Sequence, residues 1–352
     1  MRDRTIDILK GITILLVVWG HSIQYANNGN IDFFTNPIFV FIYTFHMPLF
    51  MFVSGWVFFY NFDLRSAEML VRARTRSTLV PMISWTVVFT TIDGIMQYGV
   101  KFGYSLYHLS VSKVYDSFWF LTVLLIIGIF AILVLKLSER LAPFIIAIVF
   151  IALQLAPDVY YLYFIKFMFP YFFLGFYGCK YRYLLSRHKK IIGLGCSVFF
   201  VVVLAIWKTD YYVYTTGMSL WVPNPLKQLQ NNIVRYVAGL VGIGSVFYCV
   251  SLLQKNPILD RTLSGLARIG RNSLTIYVLS GVIFSNVVSR IPYPTFLSEN
   301  FWLYTFGTAL AVSGVVAIVC ISVSVLLAKS SMSSQLLLGL RRDISETPRP
   351  NI

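Results

Sequence analysis

The chain has 352 residues, 57% of them hydrophobic and 17% aromatic, with only 12% charged, about half the charged share of an ordinary soluble domain. Twenty-nine lysines and arginines against 14 acidic residues give a net charge of +15. A water-soluble fold of this length cannot hide so much apolar surface, so a soluble enzyme, a secreted disulfide scaffold and a disordered chain are all excluded.

Apolar runs are spread evenly from end to end, at 8–26, 38–59, 79–99, 118–136, 142–156, 161–179, 191–207, 231–253, 273–290 and 302–328. Most approach the ~20 residues that a spanning helix needs; the fifth is short. The runs are continuous rather than alternating, and backbone polar groups in lipid must pair internally, which favours helices over barrel strands. The sequence therefore predicts an all-α polytopic membrane protein with about ten transmembrane helices. One integral-membrane domain covers 1–340, followed by a polar tail over 341–352 expected to be disordered. The first run ends in Val18-Trp19-Gly20-His21, without the small-residue pattern of a cleaved leader, and is read as the first span.

Lysines and arginines cluster in alternate connections, which argues for cytoplasmic loops and against nucleic-acid binding. Arg2 and Arg4, the Arg65–Arg76 group, Lys136 and Arg140, the Lys180–Lys190 group, the Lys255–Arg271 group and the basic residues from Lys329 onward lie on one side. Only Lys101, Lys113, Lys208, Lys227 and Arg290 lie on the other. This asymmetry makes both termini cytoplasmic. The outer connection 208–230 is rich in Tyr and Trp and reads as an interfacial aromatic belt or as a lid. Cys179, Cys196, Cys249 and Cys320 lie singly without metal or redox spacing, so they are packing residues and no metal is expected. No internal repeat is evident.

Ionisable residues inside a bilayer are costly and mark functional positions. In the first span, Asp7, Lys10 and His21 share one stripe: eleven steps of 100° bring His21 to about 20° from Lys10, roughly 16 Å further along the axis. Lysine snorkelling with Asp7 as partner is the plain alternative. Counting residues from the cytoplasmic end of each span places His21, His46, Asp93 and Asn286 at one depth, roughly 20 Å in. This is a polar layer suited to acid–base chemistry, in which Asp93 would fix a histidine tautomer. Pro48 removes a helical hydrogen bond beside His46, and irregular backbone at that depth suggests a cavity wall. Ser54-Gly55 suits close helix packing or ligand contact equally. Arg72, Arg74 and Arg76, ahead of Pro81, suit either positive-inside bias or phosphate groups.

At these residues the chain resembles the acyltransferase-3 membrane acyltransferases, in particular the fucose 4-O-acetylase-like branch. Lys10 to His21 is similar to the family's basic-x10-His motif, and His46-Met47-Pro48-Leu49-Phe50 with Ser54-Gly55 to its second motif. Arg72–Pro81, Phe118-Trp119-Phe120-Leu121, Pro170–Gly175 and Ile269–Tyr277 follow in order. Two positions depart: Lys10 stands where arginine is commonest, and Ser280 where the last motif usually ends in histidine. The resemblance implies an O-acyltransferase that moves an acyl group, usually acetyl, from cytoplasmic acetyl-CoA to a hydroxyl of a glycan or lipid-linked saccharide at a bacterial inner membrane. In that frame His21, helped by His46 and Asp93, is the general base. Lys10, Asp7, Arg72, Arg74 and Arg76 hold the donor. Trp119, Asn272, Tyr277 and Asn286 serve substrate or oxyanion. A transporter or flippase of the glycan or acyl donor would use the same polar layer and remains the alternative from sequence.

Overall fold

The computed structural model describes residues 3–27, 32–62, 65–98, 118–208, 211, 218–294, 296 and 300–339, with the side chains of 93–98 and 331 outside the description. The 341–352 tail lies outside the described residues. Among the described residues the protein is helical. Eight helices are long and apolar enough to cross a membrane: Arg4–Tyr25, Pro37–Phe62, Trp119–Leu137, Leu162–Lys180, Arg182–Ala205, Pro225–Leu253, Ser273–Arg290 and Leu303–Lys329. The other two expected runs are also helical, over Val80–Tyr98, which carries Asp93 and Gln97, and over Ala142–Leu155.

In chain order, α1 is Arg4–Tyr25, capped by the Asp3 carboxylate on the Thr5 amide. Helix α2 is Pro37–Phe62 and stays helical through Pro48. Ser66 caps α3, Ala67–Arg74, whose helix continues through a widened turn at Thr75–Leu79 into α4, Val80–Tyr98. Then come α5, Trp119–Leu137; α6, Ala142–Leu155; α7, Leu162–Lys180; and α8, Arg182–Ala205. Helix α9 is Pro225–Leu253, α10 Asp260–Arg271, α11 Ser273–Asn286, and α12 Ala309–Lys329.

Two connections expected from hydropathy to be loops are helical. The basic run Arg182–Lys190 forms the start of α8, and most of the Lys255–Arg271 segment forms α10. Hydropathy finds only what is buried in hydrocarbon, so a polar helical extension escapes it.

Helices touch without lateral hydrophobic drive in lipid only where small residues let backbones approach. Two crossings meet that condition. At α1–α10, a Cβ on Gly11 would lie 2.1 Å from the Leu266 carbonyl oxygen, and one on Gly270 1.9 Å from that of Asp7. Arg4 bonds Asp260 at 2.6 Å beside this crossing. At α2–α7, a Cβ on Gly55 would lie 1.9 Å from the Phe172 carbonyl oxygen, and one on Gly175 1.9 Å from that of Phe52. Gly55 is thus a packing residue, whereas its neighbour Ser54 lines a cavity.

Helix α1 and helix α11 run in the same sense: Lys10 and Leu274 line one cavity, and His21 meets Phe284 further along. Gly339 lines that cavity too, so both described ends of the chain lie on one side of the bundle.

Helix α6 has 14 residues and covers about 21 Å at 1.5 Å per residue, short of the ~30 Å hydrocarbon layer. The connection that follows is polar and internally bonded. Asp158 pairs with the fully buried Lys166 at 2.8 Å and accepts from the amides of Met218 and Ser219 at 2.9 and 2.8 Å. Lys166 also donates to the Ala156 carbonyl, and Trp221 Nε1 to that of Leu155. The described part of the outer connection is therefore fastened to the end of α6.

A valine at Gly175 must displace main chain rather than a flexible side chain. Gly175→Val should cost at least the ~1–3 kcal/mol usual for overpacking, read as a lowered thermal midpoint in detergent. Gly281, with nothing within 4 Å of a built Cβ, provides the contrast: Gly281→Ala should hold or raise the midpoint, since alanine favours helix by ~0.5–1 kcal/mol.

Candidate active site

Pro81 cannot donate to the carbonyl four residues back, and its ring crowds that turn. The helix answers by widening, with the Val80 amide bonding the Thr75 carbonyl across five residues, the kind of insertion that often marks functional positions. The widened turn lies after Arg74, so Arg72 and Arg74, two residues apart on α3, differ by about 200° of helical phase. Arg74 and Arg76 face a cavity of about 410 Å³, joined there by Lys10 and Arg65. Arg72 does not: it is exposed, pairs with Glu68 at 3.6 Å and lines a separate surface groove that Arg76 also borders. The three arginines expected to act together are thus two, and Arg65, which spacing did not single out, completes the set.

Arg74 reaches furthest into the bundle. Its guanidinium lies 5.1 Å from the Phe58 ring centroid and 5.8 Å from that of Phe172. A Cβ on Gly128 of α5 would come within 3.1 Å of its Nε, so the missing side chain makes the slot. Burial pulls its pKa from 12.5 down to about 10, so it is still protonated at neutral pH. Among the described residues, no carboxylate pairs with Arg65, Arg74 or Arg76. The apolar end of the cavity is formed by Phe50, Phe120, Leu121 and Leu124, with Tyr277 beside them.

His21 and His46 form a second group beyond that end. A Cβ on Gly20 would sit 2.6 Å from the Tyr43 ring, so glycine admits Tyr43 against α1. The Tyr43 hydroxyl lies 3.5 Å from His21 Nδ1 and its ring centroid 4.5 Å from that of His46. His46 is buried and donates from Nδ1 to the Ile42 carbonyl at 2.8 Å, which leaves Nε2 as acceptor. His21 Nδ1 faces the Gln24 side-chain oxygen at 3.4 Å, and the same tautomer leaves its Nε2 as base. Gln24 and the Ile42 carbonyl orient the two rings; the side chain of Asp93 lies outside the described residues.

The depth arithmetic for Asn286 agrees with the packing, since Phe284 lies 5.8 Å from the His21 ring. Asn286 Nδ2 and the Ser22 hydroxyl are buried without a hydrogen-bond partner among the described residues. The remaining site candidates divide. Tyr277 lines the cavity. Trp119 stacks on Phe164 at 4.3 Å and holds the start of α5. Asn272 donates to the Arg268 carbonyl at the α10–α11 junction, toward the Lys10 end and away from His21, which does not suit an oxyanion role there. Asp7 is buried at the α1–α10 crossing and does not line the cavity. Ser280, at the family's histidine position, is fully buried and donates to the Tyr277 carbonyl. Among the described residues no group of His, Cys, Asp or Glu is placed to hold a metal.

The sequence profile of the acyltransferase-3 family, described as an acyltransferase domain, matches residues 3–320. The chain belongs to the acyltransferase-3 family. This membrane acyltransferase is similar to the nodulation protein NolL of Mesorhizobium japonicum, at 27% identity over 315 residues covering 84% of this chain and 83% of the relative. It is also similar to NolL of Sinorhizobium fredii, at 29% identity over 299 residues covering 80% and 78%. No solved structure matches.

Tyr43 and Gln24 were missed because each lies outside a charged or histidine pattern, and Arg65, though counted in the basic group, because it falls outside the alternation at 72, 74 and 76. Only the small residue Gly20, next to the motif histidine, hinted that another chain comes close. Arg74 is half-buried and has no carboxylate partner among the described residues. Arg74→Met should therefore leave thermal stability unchanged or higher, because removing an unpaired, partly desolvated charge relieves desolvation; thermal unfolding of the purified variant beside the wild type reads the change.

Proposed function

We propose that this acyltransferase moves an acyl group, acetyl by preference, from cytoplasmic acyl-CoA to a hydroxyl of an exported or lipid-linked glycan at a bacterial inner membrane. The observation that carries the reading is the cavity bordered by Lys10, Arg65, Arg74 and Arg76, which ends in apolar rings one helical turn from His46. Four basic side chains around one cavity suit the phosphates of CoA, with Arg supplying bidentate contacts and Lys10 a point charge. The narrower apolar part suits the pantetheine arm. Positive-inside bias puts this mouth in the cytoplasm, where the donor is made.

The donor supplies an activated thioester. His21 takes the acceptor hydroxyl proton at Nε2 as the new carbon–oxygen bond forms, and returns it to sulfur as the carbon–sulfur bond breaks. General base catalysis of this kind contributes about 10²–10⁴-fold. Gln24 and Tyr43 keep the proton on Nδ1 beforehand. His46, with its own Nε2 left as acceptor, receives a hydrogen bond from the acceptor or its water. Asn286, whose buried amide has no hydrogen-bond partner among the described residues, is the candidate donor to the oxyanion. Glycan as acceptor rests on the family resemblance of the two histidine motifs.

Inside-out membrane vesicles given labelled acetyl-CoA test the proposal. Label should enter the glycan fraction from inside-out but not right-side-out vesicles. His21→Ala should cut incorporation about 10²–10⁴-fold, while CoA still raises the thermal midpoint of the purified variant. Unchanged labelling in His21→Ala overturns the base assignment, and labelling of right-side-out vesicles alone overturns the sidedness.

A further inference from the structure

His21 and His46 are absent from the lining of the donor cavity, although the imidazole of His46 lies one helical turn from Phe50, which does line it. At that end of the cavity three rings from three helices meet in one layer. The Phe120 centroid lies 5.9 Å from that of Phe50 and 6.0 Å from that of Tyr277. Phe50 and Phe120 are buried, and Tyr277 is half-buried.

The layer also has a polar tie. Phe120 is the second residue of α5, so its amide is one of the helix-start donors with no partner inside the helix. No side chain caps α5 at Phe118; the Tyr277 hydroxyl instead hydrogen-bonds the Phe120 main chain. Helices α5 and α11 are held together at the ring layer by this bond and the edge-on ring contact.

Resting on the donor site proposed above, we infer that Phe50, Phe120 and Tyr277 form a partition between donor thioester and catalytic imidazole, and that these rings decide between an alcohol and water as acyl acceptor. An imidazole able to activate a sugar hydroxyl activates water equally well. A thioester in open contact with it would hydrolyse: water oxygen bonds the acyl carbon, the carbon–sulfur bond breaks, sulfur takes one proton, and the carboxylic acid formed loses another. With the rings in place the acyl group waits below, and access requires Phe120 or Tyr277 to turn aside, which ties transfer to occupancy of the outer space by acceptor.

The test uses the full-length purified protein with acetyl-CoA alone and follows release of free CoA thiol. Wild type should release thiol slowly. Phe120→Ala should release it roughly ten-fold faster or more, since exclusion of water from the reactive centre is lost. Tyr277→Phe, which keeps the ring and removes the tie, should rise by a smaller factor. Adding His21→Ala to Phe120→Ala should abolish the increase, which a loosened, partly unfolded variant would not show. Thiol release no faster than wild type in Phe120→Ala overturns the partition, whether or not CoA still raises its thermal midpoint. If CoA gives no thermal stabilisation to the wild type, the donor site itself is overturned, an outcome distinct from a wild type that binds CoA and a Phe120→Ala that does not leak.

Discussion

Hydrocarbon does not tolerate an ionic group without a partner, and the placement of every charge in this bundle answers to that constraint. Lys166 is fully buried and met by Asp158, whose carboxylate is further occupied by two backbone amides. That site is complete in itself and fastens the end of the short helix α6. Arg74 is enclosed by Phe58, Phe172 and Gly128 and has aromatic faces but no carboxylate among the described residues. Ring quadrupoles return only part of the lost hydration. Lys166 is matched by a carboxylate, whereas the half-buried Arg74 faces the cavity with none among the described residues.

The path from this constraint to chemistry runs through backbone geometry. Helical phase on α3 sets Arg74 toward the cavity and Arg72 away from it, and Pro81 imposes the widened turn that follows, which carries Arg76. Glycines at 11, 55, 175 and 270 bring helix main chains into contact, and Gly20 brings Tyr43 against His21. The cavity and the histidine pair are consequently built on packed helices rather than on loops, as the close placement of reacting groups requires.

The histidines are oriented by neutral groups. Ile42 and Gln24 accept from Nδ1 in each case, which selects the tautomer without placing a second formal charge in the membrane. A neutral acceptor imposes a smaller desolvation cost than a carboxylate would, and it leaves each Nε2 as an acceptor.

Run length and charge bias alone located the ten helical segments to within a few residues at most ends, and helical phase alone put Lys10 and His21 on one side of α1, because hydrocarbon burial and 100° per residue are local properties. The common depth of His21, His46 and Asn286 was legible for the same reason. What each polar residue meets is not local. Arg72 and Arg74 are two residues apart with the same chemistry; helical phase separates them, and only the packing of α3 against Gly128, Phe58 and Phe172 decides which of them meets the bundle. Gln24 and the Ile42 carbonyl orient the two histidines from within one turn of each, and Asn272 caps a helix that hydropathy does not register. The rings of Phe50, Phe120 and Tyr277 come from three helices far apart in the chain. Their meeting depends on crossings between helices, which tertiary packing alone decides.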